Sequence, residues 1–467
     1  MNVEALFAAA GERTVRAGLV GVGQFGVSLV TQARRTPRLT IPALCDRDPQ
    51  RAIAALRLAG VPEDGWRRCE SVPQAIAAMA SGRVAVLADA ALLVELPLDI
   101  VVEATGVVEA AAHIAALAIE HGRHVAMVTK EAESVAGPEL AARARAAGLV
   151  YTPVDGDQPG LLLGLLSWAR TLGLPVVCAG KSSEYDFVFD RASGQVSWRG
   201  GAKQVAAPAL LETWHLPARD AGDTLAMRGA LLSAIPQRTV PDLCEMLVVV
   251  NATDLVPDVP QFHAPVMRTV EVPAVFRRQD RGGILARDGV VDVFNCLRGG
   301  DEPSFAGGVF VVVRCDDRES WAVLREKGHP VTADAGHAML YNPQHLLGIE
   351  APLTLLQAVL LGQSSAPAPR QRYDLVARAN RDWRAGEVIR IDDHHHHEVH
   401  GLTPSLQPAR ALEHGAPLPY YMAVGRMLTR DVVKGELLSR DAVHAPADST
   451  LWQLRAALDA RELQARS

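Results

Sequence analysis

The segment Gly21-Val22-Gly23-Gln24-Phe25-Gly26 constrains this chain more than any other feature. It follows the apolar run Val15 to Val20, which reads as a strand, and precedes Val27 to Arg35, where apolar residues recur at helical spacing. A GxGxxG pattern alone is weak, but between a strand and a helix each glycine acquires a task. Gly21 permits a tight turn, Gly23 lets a pyrophosphate approach the backbone, and Gly26 lets helix and strand pack closely, with Gln24 and Phe25 opening the helix. The helix N-terminus adds N–H donors and the positive end of its dipole. Asp46 stands twenty residues beyond Gly26, at the end of the next strand, where a carboxylate accepts the ribose hydroxyls of NAD. The neighbouring Arg47 suits a 2′-phosphate, so NAD and NADP both stay open.

The following residues repeat the alternation. A strand ends at Leu44-Cys45-Asp46, a helix runs from Pro49 to Gly60, and Arg83 to Ala88 reads as a strand. Leu98 to Glu103, Ile114 to Glu120 and His124 to Val128 read as strand, helix, strand. Such alternation builds a parallel sheet with helical crossovers, so the fold class is α/β, with a doubly wound Rossmann domain over residues 1–150. From about Gly148 the pattern changes to mixed strands and helices with polar loops, including the apolar runs Leu247 to Val250 and Val309 to Val313; we read 151–365 as an α+β catalytic and dimerisation domain. Pro352 to Leu361 reads as a helix, and Gly362 to Arg372 as a linker. Beyond it the pattern RDxxxGE occurs twice, at Arg381 to Glu387 and Arg430 to Glu436, which points to a small pseudo-symmetric β-rich module over 372–450.

Composition narrows the partners. A net charge of -6 with no basic run gives no reason to expect nucleic acid. No apolar run approaches the ~20 residues of a membrane span, and Met1 to Gly11 lacks the features of a signal peptide, so we expect a cytoplasmic protein that meets no membrane. Six cysteines fall singly in apolar stretches and read as buried free thiols.

The candidate chemistry lies at strand ends. Ala104-Thr105-Gly106 is a loop of small residues that admits the nicotinamide half of a cofactor, or simply joins strand to helix. Thr129-Lys130-Glu131 follows the next strand; Lys130 steadies a substrate oxygen or phosphate there, or starts a solvated helix. In Asp155-Gly156-Asp157-Gln158-Pro159-Gly160 the two carboxylates hold a metal or form a turn. Lys181 follows the strand Pro175 to Gly180, as a proton donor or phosphate ligand. Glu245 lies near Asn251-Ala252-Thr253-Asp254, in contact with substrate or within a satisfied core network. The run His394 to His397 reads as a surface loop with adventitious metal affinity. Lys130 and Lys181 lead this set, followed by Glu131, Asp157 and Glu245.

Several segments together resemble the homoserine dehydrogenase-like oxidoreductases, and more closely the deoxyxylulose-phosphate reductoisomerase-like proteins with a C-terminal SAF domain. They are RAGLVGVGQFG, DIVVEATGVVEA, EAES, GDQPG, AGK ending at Lys181, NATDLVPD, GGILARDGVVD and IEAPLTLLQAVLLG, with the RDxxxGE repeat matching the SAF module. The resemblance implies an NAD(P)-dependent enzyme acting on a small hydroxycarbonyl compound such as a sugar phosphate, with a divalent metal as a further cofactor and a homodimer or higher homo-oligomer as the assembly. Ser182 to Asp186, Asp254 and Asp46 depart from the subgroup pattern, so fold and cofactor class carry over better than substrate. A reading of another class is a dinucleotide-binding sensor or carbohydrate-binding protein that works through its SAF-like module.

Overall fold

A computed structural model describes residues 2–217, 221–392 and 396–464. The chain divides into two compact units. The first comprises 1–160, 346–390 and 408–467; the second comprises 161–345 and 391–407.

Seven short strands form the sheet of the first unit: β1 (Val15–Val20), β2 (Leu39–Cys45), β3 (Trp66–Arg68), β4 (Val84–Leu87), β5 (Ile100–Glu103), β6 (His124–Met127) and β7 (Tyr151–Pro153). Their order is β3-β4-β2-β1-β5-β6-β7, and every pairing is parallel. From β4 to β7 this is the doubly wound order, with β3 added at one edge. The chain reverses its direction of travel across the sheet at β1 and β5, so the crevice at their carboxyl ends is the place where such sheets take ligands. Strands β4 to β6 are almost wholly apolar because a parallel sheet is covered on both faces.

One covering helix comes from far along the chain. Ala351–Leu361 was expected at the end of the central domain, yet its Leu355, Leu356, Ala358 and Val359 join Leu19, Val102 and Ala126 in the first unit's core. The segment 372–450, expected as a separate module, is divided between the two units. Its share in the first unit is tied there by buried polar bonds. Arg455 is fully buried and grips the Asp374 carboxylate with two bonds of 2.6 and 2.7 Å, and Gln371 donates to the carbonyl of Ser134 at 3.1 Å. A guanidinium buried this way must keep its partner, because an unpaired buried charge is costly.

The RDxxxGE repeat folds as two equivalent corners. Arg381 pairs with Glu387 and Arg430 with Glu436. Asp431 accepts from the Ala385 N–H and Asp382 from the Lys434 N–H, so each corner braces the other.

The second unit is built on a mixed sheet of β8 (Val176–Asp190), β9 (Gln195–Trp198), β10 (Gly201–Gln204), β11 (Val256–Pro257), β12 (Val266–Met267), β13 (Val290–Gly299), β14 (Val309–Arg314) and β15 (His337–Asn342). The long β8 pairs with β13 in parallel and with β9 and β14 antiparallel. Its register against β13 slips just after Ser182, where a bulge interrupts the ladder. The run Leu247 to Val250 lies in the helix Val240–Ala252, which is buried almost throughout and therefore lacks the polar face that marks a surface helix. All six cysteines are free and buried. Among the described residues no helix is long and apolar enough to cross a membrane.

Candidate active site

The glycine turn sits at the carboxyl end of β1, and its glycines differ in what surrounds them. Gly21 has φ +91°, and a Cβ there would lie 2.4 Å from the carbonyl oxygen of Ala104. Only glycine therefore lets the turn lie against the loop after β5. Gly23 is exposed, caps the helix Gln24–Ala33, and a Cβ there would meet no atom within 4 Å. Gly21 is thus required by the fold, whereas the open side of Gly23 is free for a ligand. That open backbone beside the helix N-terminus fits a pyrophosphate.

Asp46 faces this turn. Its Oδ2 accepts from the Val22 N–H at 2.9 Å and its Oδ1 from the Asp48 N–H at 3.0 Å. Each carboxylate oxygen keeps a further lone pair, so the expected ribose contact is compatible with these bonds. Arg47 is exposed beside it. The loop Ala104-Thr105-Gly106 is held by Glu103 and Thr129, which the sequence reading placed at strand ends without giving them this role. Glu103 is fully buried and accepts from the Thr105 N–H at 2.8 Å and its hydroxyl at 2.6 Å, while the Thr129 hydroxyl accepts from the Gly106 N–H at 3.0 Å. Burial pushes the Glu103 carboxyl above the usual range, against the opposing effect of hydrogen bonds from Thr105 and Thr129.

Lys130 begins the helix Lys130–Ala146, directly after β6, and its Nζ lies 3.5 Å from Asp157 Oδ1. Both side chains are partly open, at 18% and 14% exposure, so the pair can meet a substrate. Glu131 is buried in the first turn of the same helix. So is Glu133, whose carboxyl burial pushes up to about 8, with the Asp157 charge adding to the shift. The Asp155 carboxylate is hydrogen-bonded to Thr354, whose hydroxyl also accepts from the Asp155 backbone N–H at 2.7 Å. Burial raises the Asp155 carboxyl above its usual range.

Lys181 and Glu245 meet in the second unit, and both are fully buried. Asp242 completes the cluster, 2.9 Å from Lys181 Nζ and 2.7 Å from the hydroxyl of Ser183, which donates to it. Asp242 and Glu245 are three residues apart on the helix Val240–Ala252 and so share one face, while Lys181 and Ser183 share a face of β8. Thr239 caps that helix by accepting from the Asp242 N–H, which fixes the first carboxylate over the strand. A small cavity beside this cluster is lined by Glu184, Tyr185, Arg199, Thr239, Pro241 and His396. Asn251 is buried, whereas Asp254 is exposed and pairs with Arg170. His394 and His395 lie outside the described residues. Among the described residues no three His, Cys, Asp or Glu side chains converge on one metal position.

Two stretches match family models of oxidoreductases. Residues 18–153 match the model described as homoserine dehydrogenase, NAD binding domain, and residues 237–351 match oxidoreductase DRL, catalytic domain. The first stretch holds the glycine turn, Asp46, the loop after β5 and Lys130; the second holds Asp242 and Glu245. Among solved structures, the chain is similar to biliverdin reductase from Synechocystis sp. PCC 6803 in complex with biliverdin and NADP+, at 19% identity over 38% of this chain and 47% of that one, with a TM-score of 0.25. It is also similar to myo-inositol dehydrogenase from Lactobacillus casei in complex with NAD(H) and myo-inositol, at 15% identity over 38% and 47% of the two chains, with a TM-score of 0.28. The chain spans about half the length of these structures. No curated protein matches it.

Proposed function

We propose that the chain is an NAD(P)-dependent oxidoreductase that interconverts a small hydroxycarbonyl compound, with a sugar phosphate as the leading substrate class. The observation that carries this reading is the contrast at the glycine turn. Gly21 is sealed against the loop after β5, while the backbone of Gly23 lies open at a helix N-terminus. Matches to a dinucleotide-binding family and an oxidoreductase catalytic family support it.

When bound there, the nicotinamide supplies or accepts the hydride. The chain's own residues handle the proton and charge. Lys130 is open enough to hydrogen-bond a substrate oxygen and to steady the negative charge that grows on it as a carbonyl is reduced. Asp157, 3.5 Å away, holds that ammonium in place. Lys181 is buried against Asp242 and Glu245, and the Ser183 hydroxyl joins the same cluster through Asp242. Glu131 and Glu133 are buried in the first turn of the helix that Lys130 begins. A homo-oligomer and a SAF-like fold for the repeat-bearing segment belong to the same reading.

The test is to titrate purified protein with NADH and with NADPH, then to screen hydroxyacids and phosphosugars for cofactor oxidation or reduction. Binding and turnover with one group of hydroxycarbonyl compounds support the proposal, and loss of turnover with retained binding in Lys130→Met supports the role of Lys130. Binding without turnover across the panel favours a sensor, and no binding of either nucleotide overturns the proposal.

A further inference from the structure

A second polar site lies in the same unit as Lys181 but leaves the sheet on the opposite face. In the β8–β13 ladder, Lys181 pairs with Val293 and Gly180 with Asp292. Residues paired in register share a face and successive residues alternate, so the Lys181 and Asp292 side chains point to opposite sides. Asp292 is fully buried and accepts from the backbone N–H groups of His263, Ala264 and Val293 at 2.8 to 3.3 Å. It also takes the shortest bond of the group, 2.6 Å to Nδ1 of His263. That bond places a proton on Nδ1, so Nε2 carries the lone pair in the neutral ring. Against the lowering effect of burial, the Asp292 bond and the Asp292 and Asp258 charges raise the imidazole above its ordinary value, so a ligand at Nε2 competes with a proton.

Nε2 faces a second buried carboxylate. Asp258, whose side chain is only 2% exposed, has Oδ2 3.6 Å from Nε2. This is too long for a hydrogen bond. Oδ2 is held by the Ala286 N–H at 3.0 Å, while Oδ1 is buried without a hydrogen bond and has Arg287 Nε 3.8 Å away. The backbone on either side of His263 is left-handed, with φ +57° at Phe262 and +46° at Ala264, conformations that non-glycine residues rarely adopt. The chain thus accepts strain on both sides of this one imidazole. The ring borders a cleft of about 850 Å³, whose other wall is the segment Gln279 to Ile284.

We propose that His263 Nε2 and Asp258 form a two-donor site for a divalent transition metal, with the remaining coordination positions open to the cleft for water or a small ligand. Two bonds of about 2.0–2.1 Å spanning this gap subtend an angle of about 120°, wider than tetrahedral, so a small approach of the two donors completes the geometry. Imidazole with carboxylate is a donor set that suits zinc, cobalt or manganese. Asp292 then plays the part usual for the carboxylate behind a metal-bound histidine: it fixes the tautomer and the ring orientation from the far nitrogen. With two protein donors, water or a small ligand in the cleft must supply the rest. The inference rests on the second unit alone and is independent of the dinucleotide reading.

The probe is Co2+, followed by its visible d–d absorption and by competition with a chelator. The histidine run and His400 bind such ions by composition alone, so every protein tested carries Gln at 394, 395, 396, 397 and 400. We expect one Co2+ per chain, an affinity lowered at least tenfold by His263→Gln and by Asp258→Asn, and a loss of about 10- to 100-fold in Asp292→Asn. Asp280→Asn, a change elsewhere in the cleft, leaves binding unaltered. X-ray absorption of the bound ion in the otherwise unaltered background reports one imidazole nitrogen, a readout that does not depend on whether a site variant folds. No Co2+ bound in that background, affinity unaltered in both His263→Gln and Asp258→Asn, or a spectrum with no imidazole or more than one overturns the proposal.

Discussion

Replacing Glu133 with glutamine removes a pH dependence of stability whose sign and size follow from the burial of this carboxyl. Glu133 lies in the first turn of Lys130–Ala146, 6% exposed, and burial followed by the Asp157 charge lifts its carboxyl to about 8 from an ordinary 4.5. A carboxyl that holds its proton more tightly in the folded than in the unfolded chain stabilises the fold fully below pH 4.5. That contribution is lost as pH rises through 8, at about 1.4 kcal/mol per pH unit and on the order of 5 kcal/mol in all. Glutamine cannot ionise, so Glu133→Gln escapes the loss while keeping nearly the same volume. The assay is calorimetric melting of wild type and variant at pH 5, 7 and 9. Other titrating groups act alike in both proteins and cancel in the difference. The variant should melt near or slightly below wild type at pH 5 and several degrees above it at pH 9. Melting curves that stay parallel across this range would show that the carboxyl is not held neutral, and the reasoning about its burial would fail.

Other substitutions separate structural from functional roles. Gly21→Ala places a methyl group 2.4 Å from the Ala104 carbonyl in a backbone with positive φ, so it should cost more than the ~1 kcal/mol of an ordinary left-handed penalty and lower the melting temperature measurably. Arg455→Leu leaves the buried Asp374 carboxylate unpaired and should destabilise the first unit by about 3–5 kcal/mol, read by denaturant unfolding; the double variant Arg455→Leu with Asp374→Leu should recover part of the loss. Lys130→Met should lower kcat by about 10²-fold or more while leaving nucleotide affinity within a few-fold, as expected when a positioned donor to a developing oxyanion is removed.

The glycine turn and the strands around it were legible because their signals are local. An apolar run, a turn that only glycine fits and an acidic residue at the next strand end all lie within about thirty residues. Lys130 was legible as a charge just after a strand, whereas Lys181, expected beyond a strand ending at Gly180, lies within β8, which continues to Asp190; the structure gives each a carboxylate partner. Asp242 was missed although its signal is local too: Thr239 caps a helix three residues ahead of it, and Glu245 follows at the spacing of one helix face. The apolar run Leu247 to Val250 hid that helix, because a helix buried on every side shows no polar stripe. His263 was not legible at all. Its contact with Asp292, twenty-nine residues away, forms because β12, just after His263, pairs with β13, which carries Asp292. The segment 372–450 was read as one module because both copies of the RDxxxGE repeat lie within it. Its placement depends instead on bonds such as Arg455 to Asp374, eighty-one residues apart.

The central claim is that a nicotinamide dinucleotide binds at the open backbone of Gly23, and the substitution Gly23→Asp tests it most directly. The site has room for a side chain, φ there is -80°, and aspartate is a favoured helix N-cap, so the variant should fold and melt like wild type. Its carboxylate would occupy the pyrophosphate's place and repel it. Calorimetric titration should show wild type binding NADH or NADPH and the folded variant binding neither. Equal nucleotide affinity in the two proteins would contradict the account.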